Sequence, residues 1–417
     1  MSLLERRRAL LETAKDAKEG GGINDGKYVV VGYSTINFST TPSHASVRYT
    51  ASIDYGMSFN NVNGTIVEGN KPCAECLNSR GEFMYHPYSK QSSNIASFFS
   101  LSTMSSPSDV TGCTTESVAY TTSTDLRPGA WCFSTDTTKV IKLGVSSNYT
   151  VSNLEVGSYS NSTYSLEQQL NLPGWAQGTK LGSTSTNGPY LKFNSDTLKV
   201  GFLGKNAGAS LGIAGPITCS FTRDGGLTWT DVKDIVYDNS QSLGEHGFIS
   251  SHISNNGKNI GIVYQPKNSE PKLIVSNDYG NTFNSVNIPQ GESYLGNFET
   301  SAKFNTWYLN SYNSFSDGIS ASLWKSVDQG QTWTRSAYRG YTIMQRYPCS
   351  QSCFHCDDSG KKLVQVGFAS VNSKRYFSTS CSLDGGETWT GVTSSFLGGD
   401  GMSTFRFYMS RDSYNMQ

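Results

Sequence analysis

Two hydrophobic periodicities divide the chain. In the first segment Leu3 and Leu4 recur seven residues on as Leu10 and Leu11, and with Ala14 they fall on one side of a helix. Arg6, Arg7, Arg8, Lys15 and Lys18 occupy much of the remaining surface. Gly20-Gly21-Gly22 ends the pattern, because three glycines hold helical order only at high entropic cost. The expectation is an anchoring helix and hinge over 1–22. A helix this short is marginal alone, so its leucines need a partner surface, on this chain or another. From Asn24 onward the helical period disappears. Short runs of Val, Ile, Tyr, Phe, Ser and Thr alternate with Gly, Asn and Asp turns, which predicts an all-β body over 23–417.

An octapeptide recurs through that body. It appears as Thr222-Arg-Asp-Gly-Gly-Leu-Thr-Trp229, Ser276-Asn-Asp-Tyr-Gly-Asn-Thr-Phe283, Ser326-Val-Asp-Gln-Gly-Gln-Thr-Trp333 and Ser382-Leu-Asp-Gly-Gly-Glu-Thr-Trp389. Ser52-Ile-Asp-Tyr-Gly-Met-Ser-Phe59 is a fifth copy. The chemistry is that of a hairpin turn: Asp caps amides, Gly takes a left-handed conformation, Thr or Ser ties the turn, and the aromatic plugs the sheet. Asp54, Asp224, Asp278, Asp328 and Asp384 are therefore structural, since turns spread around a body cannot converge on one substrate.

This pattern resembles the Asp-box (BNR) repeat of sialidase-like β-propellers. The resemblance implies four-stranded antiparallel blades, each with its box between the third and fourth strands. The last four boxes lie 54, 50 and 56 residues apart, while 170 residues separate Asp54 from Asp224. That long gap has room for two degenerate units. Ser123-Thr-Asp-Leu-Arg-Pro-Gly-Ala-Trp131 reads as an eroded box, and Lys139–Leu143 and Tyr149–Ser152 read as strands of the other unit. The count is seven blades, or six if residues 90–180 are an insertion. The first blade lacks an inner strand of its own. The C-terminal run near 403–411 resembles the inner strands elsewhere and is expected to close it.

The formal net charge is zero, with 33 Lys+Arg against 33 Asp+Glu, and charged residues make up 16% of the chain. This argues against broad electrostatic capture of nucleic acid. No apolar run approaches the ~20 residues that span a bilayer, so no membrane insertion is expected. The early charges do not read as a signal peptide, and nine cysteines fit a reducing site of synthesis.

A sialidase would need three arginines, a Tyr/Glu pair and an acidic Asp at the ring centre, with a Phe/Tyr-Arg-Ile-Pro segment before the first box. That segment is missing, and Arg339, Arg346 and Arg375 cluster late in the chain. No catalytic residue is assigned. Cys73-Ala-Glu-Cys76 and Cys349-Ser-Gln-Ser-Cys353-Phe-His-Cys356 invite a zinc reading, but thiols packed as small hydrophobes fit better; neither metal nor cofactor is expected. The five histidines read as scattered, with no second histidine at general-base spacing. The candidate ligand face is the set of loops opposite the boxes. It carries Tyr237, Glu245, His246, Tyr294, Tyr338, Arg339, Tyr341, Arg346 and Tyr347, with Tyr312, Phe315, Lys374 and Arg375 nearby. Aromatic rings stack on sugar C–H faces, so the chemistry suits a glycan or a protein contact.

A leucine-striped helix, a glycine hinge and a sparsely charged, Tyr-rich β body resemble a virion attachment protein. Leu3-Leu-Glu-Arg-Arg-Arg-Ala-Leu-Leu11 also resembles the start of structural proteins from phages of gut Bacteroidales. The resemblance implies a protein made in the host cytoplasm and carried on the particle. Leu3, Leu4, Leu10 and Leu11 would dock to other virion proteins or to sister copies in a homo-oligomer, and the propeller would meet a host-surface glycan. A glycan-cleaving tail enzyme and an intracellular scaffold are the alternatives.

Overall fold

A computed structural model describes residues 26–37, 44–61, 67–68, 71–77, 82–88, 95–100, 115–119, 131–134, 138–145, 150–160, 163–177, 189–194, 197–205, 218–231, 249–254, 256–264, 272–289, 294–301, 303–315, 318–336, 354–371, 374–390, 393–396 and 401–409. Among them the regular structure is all β, and the strands form seven antiparallel sheets. The first holds β1 (Val29–Asn37), β2 (His44–Ser52), β3 (Asn60–Asn61), β4 (Val67–Glu68) and the last strand of the chain, β29 (Gly401–Met409). The second holds β5 (Lys71–Leu77), β6 (Glu82–Tyr88), β7 (Ile95–Ser100) and β8 (Thr115–Ala119). The third holds β9 (Trp131–Phe133), β10 (Lys139–Val145), β11 (Val151–Ser160) and β12 (Thr163–Leu170). β13 (Pro189–Phe193), β14 (Gly201–Lys205), β15 (Thr218–Thr222) and β16 (Thr230–Asp231) make the fourth. β17 (Ile249–Ile253), β18 (Ile260–Tyr264), β19 (Lys272–Ser276) and β20 (Asn284–Val286) make the fifth. β21 (Tyr294–Thr300), β22 (Trp307–Phe315), β23 (Gly318–Ser326) and β24 (Thr334–Arg335) make the sixth. β25 (Phe354–Cys356), β26 (Leu363–Val371), β27 (Lys374–Ser382) and β28 (Thr393–Phe396) make the seventh.

The second to seventh sheets are meanders, and the leading strands of all seven lie side by side. β5 neighbours β9, then come β13, β17, β21 and β25, and β29 touches both β25 and β5. β29 enters the first sheet by pairing with β1 from Val29↔Met409 to Ile36↔Gly401. The segment 1–22 lies outside the described residues.

Successive sheets stack face to face because their strands alternate apolar residues between two neighbours. On β22, Trp307 and Leu309 pack with Val263, Leu273 and Val275 of the fifth sheet. Tyr308 between them turns the other way, onto Phe354, Cys356 and Leu363 of the seventh. Its hydroxyl donates to the carbonyls of Gly360 and Gly385 at 2.6 and 3.2 Å, tying two turns of the seventh sheet to the sixth.

The recurring octapeptides sit between the third and fourth strands and share one hydrogen-bond set. In the first, Gly56 N–H donates to Ser52 Oγ at 2.9 Å, Ser58 N–H to Asp54 Oδ1 at 2.9 Å, and Ser58 Oγ to Asp54 Oδ2 at 2.6 Å. Asp224, Asp278, Asp328 and Asp384 repeat it with Thr228, Thr282, Thr332 and Thr388. These donors outweigh what burial would do and pull the Asp278 and Asp328 carboxyls down to about 2. The turn backbone also docks on the turn between the first two strands. Tyr55, Gly225, Tyr279 and Gly385 donate N–H to the carbonyls of Lys27, Lys199, Lys258 and Lys361 at 2.7–3.0 Å. Both turn types therefore lie at the same end of those four sheets. The turn aromatic seals against the preceding sheet: Phe283 meets Phe221 at 5.1 Å, and the Trp389 indole donates to Ser336 Oγ at 3.0 Å.

One expectation fails here. Ser123–Trp131 reads in sequence as an eroded box between outer strands, but Trp131 opens β9, the leading strand of a sheet. Residues 123–130 lie outside the described residues, and the third sheet turns from β11 to β12 without an octapeptide.

Candidate functional site

The leading strands β13, β17, β21 and β25 bring chemistry to a common height. Each ends one residue before a turn closed by a backbone hydrogen bond: Asn194 N–H to Val200, Ser254 to Asn259, Ser301 to Thr306 and Asp357 to Lys362, all at 2.9 Å. The residues two positions before those four donors are Lys192, His252, Glu299 and His355. Their flanking residues face the preceding sheet, as Leu191 and Phe193 do with Ile141 and Leu143, and Phe354 and Cys356 do with Tyr308. Alternation along a strand turns the residues between them away from that packing.

Three of these side chains join. Glu299 Oε1 lies 3.0 Å from His355 Nδ1, and Oε2 lies 3.3 Å from His252 Nδ1. His252 Nε2 lies 3.0 Å from Thr300 Oγ1. His252 and Glu299 are buried, whereas the His355 side chain keeps 20% exposure. Burial would raise the Glu299 carboxyl, yet the charge of His355 and the hydrogen bonds from both imidazoles hold it well below the usual range. An ionised Glu299 only accepts hydrogen bonds, so the network places a hydrogen on each Nδ1. One carboxylate thus orients two imidazoles from two other sheets. Such a group can position a ligand or carry a proton, and it also clamps three leading strands together.

Lys192 is half-buried one sheet before His252. Cys132, two positions before the turn donor Ser134, occupies the corresponding place on β9, and its thiol senses the Lys192 charge. Burial pushes that thiol up to about 12.

This cluster corrects the reading of the histidines as scattered. His252 and His355 are 103 positions apart in sequence, and Glu299 unites them. Aligning the repeats on the turn after each leading strand, instead of on the octapeptides, would have put His252-Ile-Ser254, Glu299-Thr-Ser301 and His355-Cys-Asp357 in one column.

The expected ligand face is mostly outside the described residues: Tyr237, Glu245, His246, Tyr338, Arg339, Tyr341, Arg346 and Tyr347 all lie there, as do Leu3, Leu4, Leu10 and Leu11. Tyr294 opens β21 and pairs with Tyr312, so two of those aromatics are strand neighbours, not loop residues. Phe315 ends β22, and Arg375 lies opposite Ser370. Cys73 and Cys76 fall on β5 with a register irregularity between them. Cys356 is fully buried in an apolar cluster, its thiol 3.5 Å from the Thr300 carbonyl. Among the described residues no three His, Cys, Asp or Glu side chains are placed to hold a metal.

No protein-family model matches the sequence, and no curated protein does. Solved structures match in shape. The GH74 xyloglucanase from Xanthomonas campestris aligns over 72% of this chain and 43% of its own, at 17% identity and a TM-score of 0.42. This chain thus spans less than half the length of that enzyme. A putative 6-phosphogluconolactonase from Bacteroides fragilis aligns over 92% of this chain and 98% of its own, at 10% identity and a TM-score of 0.50. The β-propeller domain of the Trilobed protease from Pyrococcus furiosus aligns over 93% and 96%, at 8% identity and a TM-score of 0.42. Likeness at such identities speaks to fold and not to activity. The fold of this chain is an all-β β-propeller.

Proposed function

We propose that this chain is a non-enzymatic attachment or structural protein of a phage particle. Residues 1–22 dock it to other virion proteins, and a seven-bladed Asp-box propeller displays a face for a host-surface glycan or another virion protein. The observation that carries this reading is the pairing of β29 with β1, together with the cycle of leading strands from β5 through β25 to β29. The first sheet takes its leading strand from the last strand of the chain, so the β body closes on itself between its two ends. The octapeptides support the same reading, because their Asp, Ser and Thr side chains are engaged in their own turns.

The test is removal of residues 1–22. The shortened protein should fold, melt as the full chain does and fail to join its particle. Leu4→Asp with Leu11→Asp should do the same. Normal incorporation of the double variant would overturn the reading.

A second reading, a glycan-cleaving propeller, draws on one observation. Glu299 fixes two imidazoles on leading strands, and oriented imidazoles serve acid–base chemistry. Turnover of a host glycan that Glu299→Gln abolishes would favour it.

A further inference from the structure

We propose that the interface between the sixth and seventh sheets binds internal water molecules through the side-chain amides of Asn310 and Gln365. Asn310 is fully buried and Gln365 keeps 2% exposure. Among the described residues, neither the nitrogen nor the oxygen of either amide has a hydrogen-bond partner. Strand register puts both amides on the same interface. Tyr308 and Leu323 of the sixth sheet pack with Phe354, Cys356 and Leu363 of the seventh. Asn310 lies two positions beyond Tyr308 on β22 and directly opposite Leu323 on β23. Gln365 lies two positions beyond Leu363 on β26 and directly opposite Phe354 on β25. Residues two apart on a strand, or opposite on neighbouring strands, share a face. The Tyr308 and Phe354 rings meet at 5.7 Å, so both amides border one packed cluster.

Buried polar groups in folded proteins are satisfied by protein or by ordered water, and an amide sealed away unpaired is destabilising. Each of these amides is neutral, with two donor hydrogens and an acceptor oxygen, which suits a ligand that both donates and accepts. Their atoms are closed to bulk solvent, so the ligand must be small enough to enter through local opening. Water meets both conditions. The backbone beside Asn310 favours it further. The β21–β22 register shifts between Leu295 and Phe298, so that Gly296 and Asn297 together stand opposite Asn310. A bulge of this kind loosens the ladder and leaves backbone groups outside it, which offers a water additional partners. Next to Gln365 on its face of β26 is Gly367, which brings no side chain. No shared ligand is needed, because each amide can hold a water of its own.

The inference stands apart from the anchoring role of residues 1–22 and is tested without a particle. The probe is water itself. Magnetic relaxation dispersion of water oxygen-17, recorded on the full chain, counts the internal waters held for longer than the protein takes to tumble. Asn310→Leu with Gln365→Met replaces both amides by apolar groups of similar size. The folded double variant should lose the dispersion amplitude of about two waters relative to the unaltered chain. A high-resolution crystal structure of the unaltered chain reads the same site where the double variant does not fold. It should show an ordered water within hydrogen-bond distance of each amide. Undiminished amplitude in a folded double variant, or a crystal structure in which either amide has no water against it, would overturn the proposal.

Discussion

Glu299 Oε1 and His355 Nδ1 meet at 3.0 Å across 56 residues of sequence, joining the leading strands of two sheets. The same carboxylate reaches His252 on a third sheet. Glu299→Gln keeps one acceptor and turns an amide NH₂ toward an imidazole N–H. At least one buried donor then loses its partner, and the cost should be about 1–3 kcal/mol in chemical denaturation. Retained stability would show that the cluster is not a clamp.

Acid should unfold the protein through named carboxyls. Glu299 is held well below its ordinary 4.5, and Asp278 and Asp328 lie at about 2 against an ordinary 3.8. A depressed carboxyl contributes stability above its unfolded value and loses it as pH falls through the folded one. Stability should therefore hold near neutrality and fall steeply from about pH 4.5 toward pH 2. Glu299→Gln should flatten the upper part of that fall, followed by denaturation at stepped pH. An unchanged profile would remove Glu299 from the account.

The octapeptide aspartates should behave as turn supports. Asp384→Ala strips the acceptors of the Thr388 N–H and Oγ1 and of Ser382 Oγ. The expected loss is about 1–3 kcal/mol of stability, with ligand binding intact well below the melting temperature. Binding lost at unchanged stability would make the turns functional.

These turns were legible in the sequence because all their chemistry is local: Ser382, Asp384, Gly386 and Thr388 lie within seven residues and bond to one another. The strands around them were legible for the same reason, since Leu363-Val-Gln-Val-Gly367 directly follows the turn residues Ser359-Gly-Lys-Lys. The His252–Glu299–His355 cluster was not. It depends on which strand leads each sheet and on how those strands neighbour one another, and that information is non-local. The third sheet is only partly legible because the β11–β12 connection carries no octapeptide to set the frame.

Backbone conformation separates two adjacent positions. Gln329 holds φ 57° and Gly330 φ 82°. Gly330→Ala would place a Cβ 2.4 Å from Val286 Cγ1 and 2.9 Å from the Trp307 ring, in a conformation alanine resists. A loss of about 2 kcal/mol or more is expected. Gln329→Gly relieves left-handed strain and should be neutral or stabilising by less than about 1 kcal/mol. Thermal melting of the two variants tests both, and a Gly330→Ala protein of full stability would contradict the packing.

Closure of the first sheet gives the last prediction. β1 lies between β2 and β29, and its Val29, Val30 and Val31 are fully buried. Ending the chain at residue 400 removes β29 and leaves β1 with one ladder of backbone partners missing. It also removes the strand that neighbours both β25 and β5, so the cycle of leading strands opens there. The loss is not local, because every sheet buries its faces against two neighbours and an open ring exposes two of them at once. This truncation should abolish cooperative melting. Ending the chain after Met409 keeps β29 whole and should melt as the full chain does. A chain ending at 400 that melts like the full protein would overturn the closure, since the β1–β29 ladder would then contribute nothing the remaining sheets cannot supply.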